Sequence, residues 1–270
     1  MKVGVRAHDF GRHSADDLAR IIKEAGFECV QLAPTKALVG VDGFDKIEPY
    51  LDEIGVAFSK HNVEITVLGC YIEPSLLDNE QRLKNVEIFK KSLSYAKQLG
   101  VQIVGTETTN LSLFTTPSER EKVYQILKDS VLRMVEQAEK EGVYIGIEPV
   151  AEHTLNTPEL THRLFSEINS KQLKIIFDPV NLVLPSIINR QKEIYNELFR
   201  YVGNEIAVMH IKDIVAEDNQ KVWRNIGEGI IDYGYILDWV KRVKPDMRLL
   251  REGVEMDSYK QDLKVMSEWT

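Results

Sequence analysis

Cysteine is scarce, with only Cys29 and Cys70 in 270 residues. Both lie in apolar runs, so no disulfide framework is needed, and free thiols in a reducing, cytoplasmic compartment are expected. Long apolar runs are missing too, and none approaches the roughly 18 residues of a membrane span. The opening MKVGVRAHDF mixes charges with apolar residues, so no signal peptide is expected. Positive charge is in deficit, with 34 Lys and Arg against 42 Asp and Glu and a net charge of −8. That balance argues against a general phosphate-backbone binder, so neither nucleic acid nor membrane is an expected partner. No low-complexity segment and no Pro/Gly/Ser-rich linker divides the chain, which is read as one domain over 1–270. No Gly-x-Gly-x-x-Gly follows the first apolar run, which argues against a nucleotide-binding doubly wound sheet.

What is present is alternation. Eight short β-rich runs, at 2–6, 28–33, 63–69, 101–107, 143–149, 173–179, 206–213 and 247–254, are separated by amphipathic stretches. Several runs are apolar on both faces, as strands of a covered parallel sheet must be. Between them, Leu83, Val86, Phe89, Leu93, Ala96 and Leu99 recur at helical spacing, as do Val123, Leu127, Val131, Met134 and Ala138. Ser14 and Ser118 are the expected N-caps of two helices, and Gly26, Gly100 and Gly142 the expected stops. Eight strand–helix units of roughly 34 residues predict an α/β fold, a (β/α)8 TIM barrel, over an open doubly wound sheet.

In such a barrel the C-terminal strand ends form the active face. The fifth run ends Gly146-Ile147-Glu148-Pro149 and the sixth Ile176-Phe177-Asp178-Pro179. The seventh ends Met209-His210-Ile211-Lys212-Asp213 and the eighth Leu250-Arg251-Glu252-Gly253. Singly, Glu148 reads as a strand-end acid, Asp178 as a loop cap and His210 as a hydrogen-bonded core histidine. Together, Glu148, Asp178, His210 and Glu252 place three carboxylates and one imidazole at one level. Carboxylates at the ends of apolar strands are costly unless paired or bound to a cation. The donor set favours Mn2+ and admits Mg2+, Co2+, Fe2+ or Zn2+.

These stretches, with Phe177-Asp178-Pro179-Val180-Asn181, His210-Ile211-Lys212-Asp213, Gly227-Glu228-Gly229 and Gly105-Thr106-Glu107-Thr108, resemble the xylose-isomerase-like TIM-barrel superfamily of sugar isomerases and epimerases, which also contains endonuclease IV. The resemblance implies Glu148, Asp178, His210 and Glu252 as ligands of one divalent metal. The chain departs from the pattern at two places. Ketohexose-type epimerases usually carry His three positions after the sixth-strand Asp, where Asn181 stands here. They also carry a substrate-gripping Arg soon after the seventh-strand His, where this chain has Asp213-Ile214-Val215-Ala216. Asn181, with Gln31 and Cys70 at the second and third strand ends, also disfavours the three-zinc site of endonuclease IV.

The function this implies is isomerisation or epimerisation of a sugar or sugar derivative, by proton abstraction next to a carbonyl through an ene-diolate. Glu148 and Glu252 are the expected catalytic bases. His8, Glu107, His153, Asn181 and Lys212 are the expected substrate contacts, with structural pairing as the competing reading of Lys212. Cys70 is read as a pocket-wall residue, and Phe10, Tyr71, Phe114 and Trp223 as loop aromatics above the site. Gly227 and Gly229 are read as shaping a turn, with phosphate contact as the other use. An inosose-type dehydratase uses the same carbanion and stays open. An endonuclease IV-like phosphodiesterase and a non-catalytic sugar-binding barrel are disfavoured by charge and by the second Glu. The expected partner is a small sugar or polyol derivative, and a homo-oligomer is compatible with the sequence.

Overall fold

A computed structural model describes residues 1–112, 114 and 116–270. Ten strands are present among them: β1 (Lys2–Arg6), β2 (Cys29–Leu32), β3 (Glu64–Gly69), β4 (Ile103–Thr106), β5 (Tyr144–Ile147), β6 (Leu173–Phe177), β7 (Ile206–Ile211), β8 (Asp213–Glu217), β9 (Gln220–Arg224) and β10 (Arg248–Arg251). Eight of them close a parallel barrel in the order β1-β10-β7-β6-β5-β4-β3-β2. Long helices follow the strands on the outside, among them Ala15–Glu24, Asn79–Leu99 and Pro117–Glu141. The chain is a single-domain (β/α)8 TIM barrel.

The apolar periodicity explains this packing. Val86, Phe89, Leu93 and Ala96 of Asn79–Leu99 are buried against the sheet, as are Val123, Leu127, Val131, Met134 and Ala138 of Pro117–Glu141. Ser14 caps its helix by accepting from the Asp17 amide. Ser118 does not cap: Thr116 does, in a reciprocal capping box with Glu119, and Pro117 takes the first helical position. Gly100 and Gly142 end their helices at φ 71° and 70°, a left-handed conformation that costs glycine little. Inside the barrel, Cys29, Val67, Ile103, Ile176, Val208 and Leu250 form a small separate core.

The paired strands are shorter than the sequence runs because the strand ends curl away into loops. Glu107, Glu148, Asp178 and Glu252 each stand one residue beyond the last paired residue of β4, β5, β6 and β10. The run 206–213 is not one strand. It breaks at Lys212, whose amide donates to the Tyr233 hydroxyl at 3.1 Å while that hydroxyl donates to the Lys212 carbonyl at 2.6 Å. The phenol replaces a neighbouring strand there, and β8 and β9 then form an antiparallel hairpin above the barrel.

The buried Asp213 carboxylate anchors the loop after this hairpin. It accepts from the amides of Ile214, Gly227, Gly229 and Ile231 at 2.9–3.3 Å. Position 229 must be glycine, since a Cβ there would lie 2.0 Å from Asp213 Oδ1. The amides of Gly227 and Gly229 are thus committed to an internal carboxylate and are not offered to a phosphate. Asp213→Ala is expected to cost about 3 kcal/mol or more, because buried donors lose their acceptor. Denaturant unfolding checks this; a midpoint unchanged from wild type would show that the loop finds other partners.

Candidate metal centre

The four strand-end residues converge on one atom. Nδ1 of His210 lies 3.2 Å from Glu148 Oε2, 3.3 Å from Glu252 Oε1 and 3.8 Å from Asp178 Oδ2. Ligand atoms of Glu148, Asp178 and His210 all fall within 4.8 Å of one another. All four side chains are buried. The other imidazole nitrogen, Nε2, meets Gln31 Oε1 at 2.9 Å. An amide oxygen only accepts, so Nε2 carries its proton there and Nδ1 is directed at the carboxylates. Gln31 is in turn held through its amide nitrogen, which donates to the Tyr71 hydroxyl.

The carboxylates are oriented by local structure. Asp178 Oδ1 accepts from the amides of Val180 and Asn181, both at 2.9 Å, which leaves Oδ2 facing inward. Glu148 Oε1 accepts from Asn181 Nδ2 at 2.6 Å, leaving Oε2 beside His210. Lys212 Nζ sits 2.5 Å from Asp178 Oδ2 and 2.8 Å from Glu252 Oε2. Arg6 adds a second cation, 3.7 Å from Glu252 Oε2, while pairing with Asp9 at 2.8 Å. Asp9 then ties the first loop to the last by accepting from the amides of Gly253 and Val254.

The charges act strongly on one another in this buried setting. Burial alone would lower the His210 pKa, but Glu252 and Glu148 overcome it and push it up to about 9. Burial likewise opposes the charge on Lys212, yet Asp178 and Glu252 raise its pKa. Burial would raise Glu252, but His210, Lys212 and Arg6 hold it well below the carboxylate range. Asp178 is raised, chiefly by burial, against the pull of Lys212. The acids thus draw positive charge to this point, from the Lys212 ammonium and from His210, whose imidazole they favour in its protonated form when no cation is bound.

A divalent cation fits this donor set. His210 Nδ1 is buried without a hydrogen-bond partner. Asp178 Oδ2 has only the Lys212 ammonium, outside good hydrogen-bond alignment. Buried polar atoms are rarely left so, and three carboxylates with one imidazole suit a hard or borderline ion. Glu148, Asp178 and His210 are the tightest candidate ligand group, with Glu252 beside His210.

Metal affinity is expected to depend on pH. His210 must release the proton on Nδ1 before that nitrogen can be a ligand, so affinity should rise with pH up to about 9 and fall by about tenfold per unit below it. Stability without added metal should run the other way. The raised imidazole stabilises the fold fully below its ordinary value of about 6.5 and loses that contribution as pH rises through about 9. Mn2+ titrations between about pH 6 and 9 check this; a flat profile would show that His210 is neutral in the cluster.

The remaining expected residues surround the cluster. Glu107 lies 3.7 Å from His153 Nδ1, and burial, reinforced by Glu148 and Glu252, raises its pKa to about 7. Burial lowers the pKa of His153. His8 follows β1 in a short 3-10 turn (Ala7–Phe10), and burial beside Arg6 lowers its pKa to about 4. Nδ1 of both His8 and His153 is buried and unpartnered. Lys212 is buried within the acid cluster, where it makes the carboxylate pairing that is the competing reading to a substrate contact.

Some expectations fail here. Cys70 is no pocket wall; it lies in the main core between sheet and helices, and burial pushes its thiol up to about 12. Phe10 is no loop aromatic; it packs edge-on against Phe27 and Tyr259 in the core. Trp223 is exposed on β9, with Lys212 Nζ 5.8 Å from its ring centroid, and Phe114 is half-buried. Gln31 is the partner of His210 that the motifs did not single out. Its only sequence signal is a lone amide inside an apolar strand, ECVQLA.

Comparison with known proteins agrees with this architecture. Residues 19–269 match the family described as xylose isomerase-like TIM barrel, and the chain belongs to that family. None of the curated proteins matches it. Among solved structures, 3-keto-D-glucoside 4-epimerase YcjR from E. coli superposes with a TM-score of 0.79 at 16% identity, covering 99% of each chain. The probable 3-DHS dehydratase AsbF from Bacillus anthracis gives 0.73 at 19% identity, again over 99% of each chain. The IOLI protein with a bound zinc atom gives 0.72 at 18% identity, over 100% of this chain and 96% of that one. At these identities the structures share the fold.

Proposed function

We propose that the protein is a divalent-metal-dependent isomerase or epimerase acting on a sugar or sugar derivative. The observation that carries this reading is the buried, unpartnered His210 Nδ1 at the meeting point of Glu148, Asp178 and Glu252. Those four side chains would hold the cation, which when bound polarises a substrate carbonyl and acidifies the neighbouring carbon. Glu148 and Glu252 come from β5 and β10, with β6 and β7 between them. They therefore reach a bound substrate from different sides, one to take a proton and the other to return it. Asn181 holds Glu148 in place and Lys212 holds Glu252. His8, His153 and Glu107 line the approach as hydroxyl contacts. The names of the similar structures, an epimerase and a probable dehydratase among them, support chemistry at a carbon beside a carbonyl.

The dehydratase reading has one observation of its own. Glu107, with its carboxyl raised to about 7, can keep a proton to give to a departing hydroxyl. The experiment that decides is deuterium incorporation from D2O into a panel of ketoses, inososes and hydroxy-keto acids with Mn2+ present. Exchange with the carbon skeleton and water content retained supports the isomerase or epimerase. Exchange accompanied by loss of water supports the dehydratase, and no exchange with any of them overturns both.

The substrate is expected to be acidic, phosphorylated or otherwise modified rather than a free ketohexose. Asn181 cannot act as acid or base, and Ala216 sits exposed on the hairpin with no reach. Arg6, Arg12, Lys221 and Arg224 are the cations of the first and seventh loops, and of these Arg12 is tied to Asp42 and the Leu38 carbonyl, and Arg224 to Glu217. Arg6 is likewise tied to Asp9 and lies near Glu252, which leaves Lys221, with no carboxylate partner among the described residues. A kcat/KM of about 10⁴ M⁻¹s⁻¹ or more for free fructose, tagatose or psicose would contradict this expectation.

A further inference from the structure

The barrel has a second opening. A cavity of about 540 Å3 lies at its N-terminal mouth, opposite the candidate metal centre. Its lining includes Tyr144, Lys174, Ile206 and Arg248, each four residues before Glu148, Asp178, His210 and Glu252 on the same strands. Four strand residues rise about 13 Å, and Ile176, Val208 and Leu250 fill the interval. The two openings are therefore separate.

This lower mouth carries an excess of cations. Lys2 and Arg248 both pair with Glu64, at 2.8 and 3.1 Å. Lys174 pairs with Glu205 and holds its Nζ 5.5 Å from the centroid of the Tyr144 ring. Lys244 has no carboxylate partner among the described residues, and its Nζ donates to the Asn204 carbonyl at 2.6 Å. Counting the exposed Asp246 at the rim, four cations face three carboxylates. Burial and the nearby charge of Lys174 lower the pKa of Lys244, and the Glu205 carboxylate, already paired with Lys174, offsets this only in part. Ile65, Ile103 and Tyr144 add an apolar wall. The volume lies within the ordinary range for small-molecule sites.

We propose that this N-terminal mouth binds a small organic oxyanion, a carboxylate or a phosphate monoester, with its head at Lys244 and Lys174 and its body on Tyr144 and Ile103. Lysines act as point charges and accept either head group. Inorganic phosphate and benzoate are the probes, titrated by calorimetry at low ionic strength into the wild-type protein, Lys244→Gln, Tyr144→Leu and His210→Ala. At least one probe is expected to bind saturably, and the tighter one identifies the head group. Lys244→Gln should weaken that binding by about tenfold or more, the scale of a lost charged contact, with its melting midpoint unchanged. Tyr144→Leu should weaken benzoate and spare phosphate. The component that depends on Lys244 should persist in His210→Ala, which separates this site from the metal centre. Absence of saturable binding, equal binding by Lys244→Gln, or loss of that component in His210→Ala would overturn the proposal.

Discussion

Glu148→Gln and Glu252→Gln are each expected to lower kcat by about 10²–10⁴-fold, the scale of a lost general base. Glutamine keeps an oxygen able to face a cation, but it cannot take a proton at neutral pH. Both carboxylates are held in place. Glu148 Oε1 is held by Asn181 at 2.6 Å, and Glu252 Oε2 by Lys212 at 2.8 Å. In each, the second oxygen faces His210 Nδ1. The substitutions are nearly isosteric, so the fold should persist. Metal content measured beside kcat separates a lost base from a lost ligand. Should either variant turn over near the wild-type rate with metal bound, that residue is a ligand only and the two-base mechanism fails.

His210→Ala is expected to weaken metal binding by more than about 100-fold, beyond the 10–100-fold typical of losing an outer-shell partner. The substitution removes the atom on which three carboxylates converge. Gln31→Leu should fall inside that outer-shell range, because Gln31 acts only through Nε2 of the imidazole. Metal analysis of the purified variants, with circular dichroism as a control for folding, measures both. Retention of stoichiometric metal in His210→Ala would move the binding point elsewhere among the acids.

The barrel was legible in the chain because its signals are local. Alternating apolar runs, helical stripes and the glycines at 100 and 142 each report a short stretch of backbone, and βαβ handedness then leaves few ways to close the sheet. The convergence of Glu148, Asp178, His210 and Glu252 was legible for the same reason. Residues at equivalent strand ends of a closed barrel share one level, whatever their separation along the chain. The Ser118 cap failed because Thr116-Pro117 offers a capping box and a preorganised first turn two residues earlier.

What no local signal carried is which groups face one another across the barrel. Gln31 and His210 stand 179 residues apart in sequence and meet at 2.9 Å. Lys212 reads as a strand-end cation, yet its environment is set by Asp178 and Glu252 from two other strands. Tyr233, from a helix that follows the hairpin, ends the seventh barrel strand through its hydroxyl. Cys70 and Phe10 turn toward the helices although they lie near strand ends, because the facing apolar surfaces are there. The sequence by itself determined the strand–helix repeat and the strand ends at which the acids stand, since periodicity and strand-end position are properties of one segment at a time, whereas closure of the sheet came from the structure. Only the tertiary structure decided the hydrogen-bond partners, the electrostatic setting of His210 and the cationic lower mouth, since each of these is a sum of contacts and charges from several strands at once.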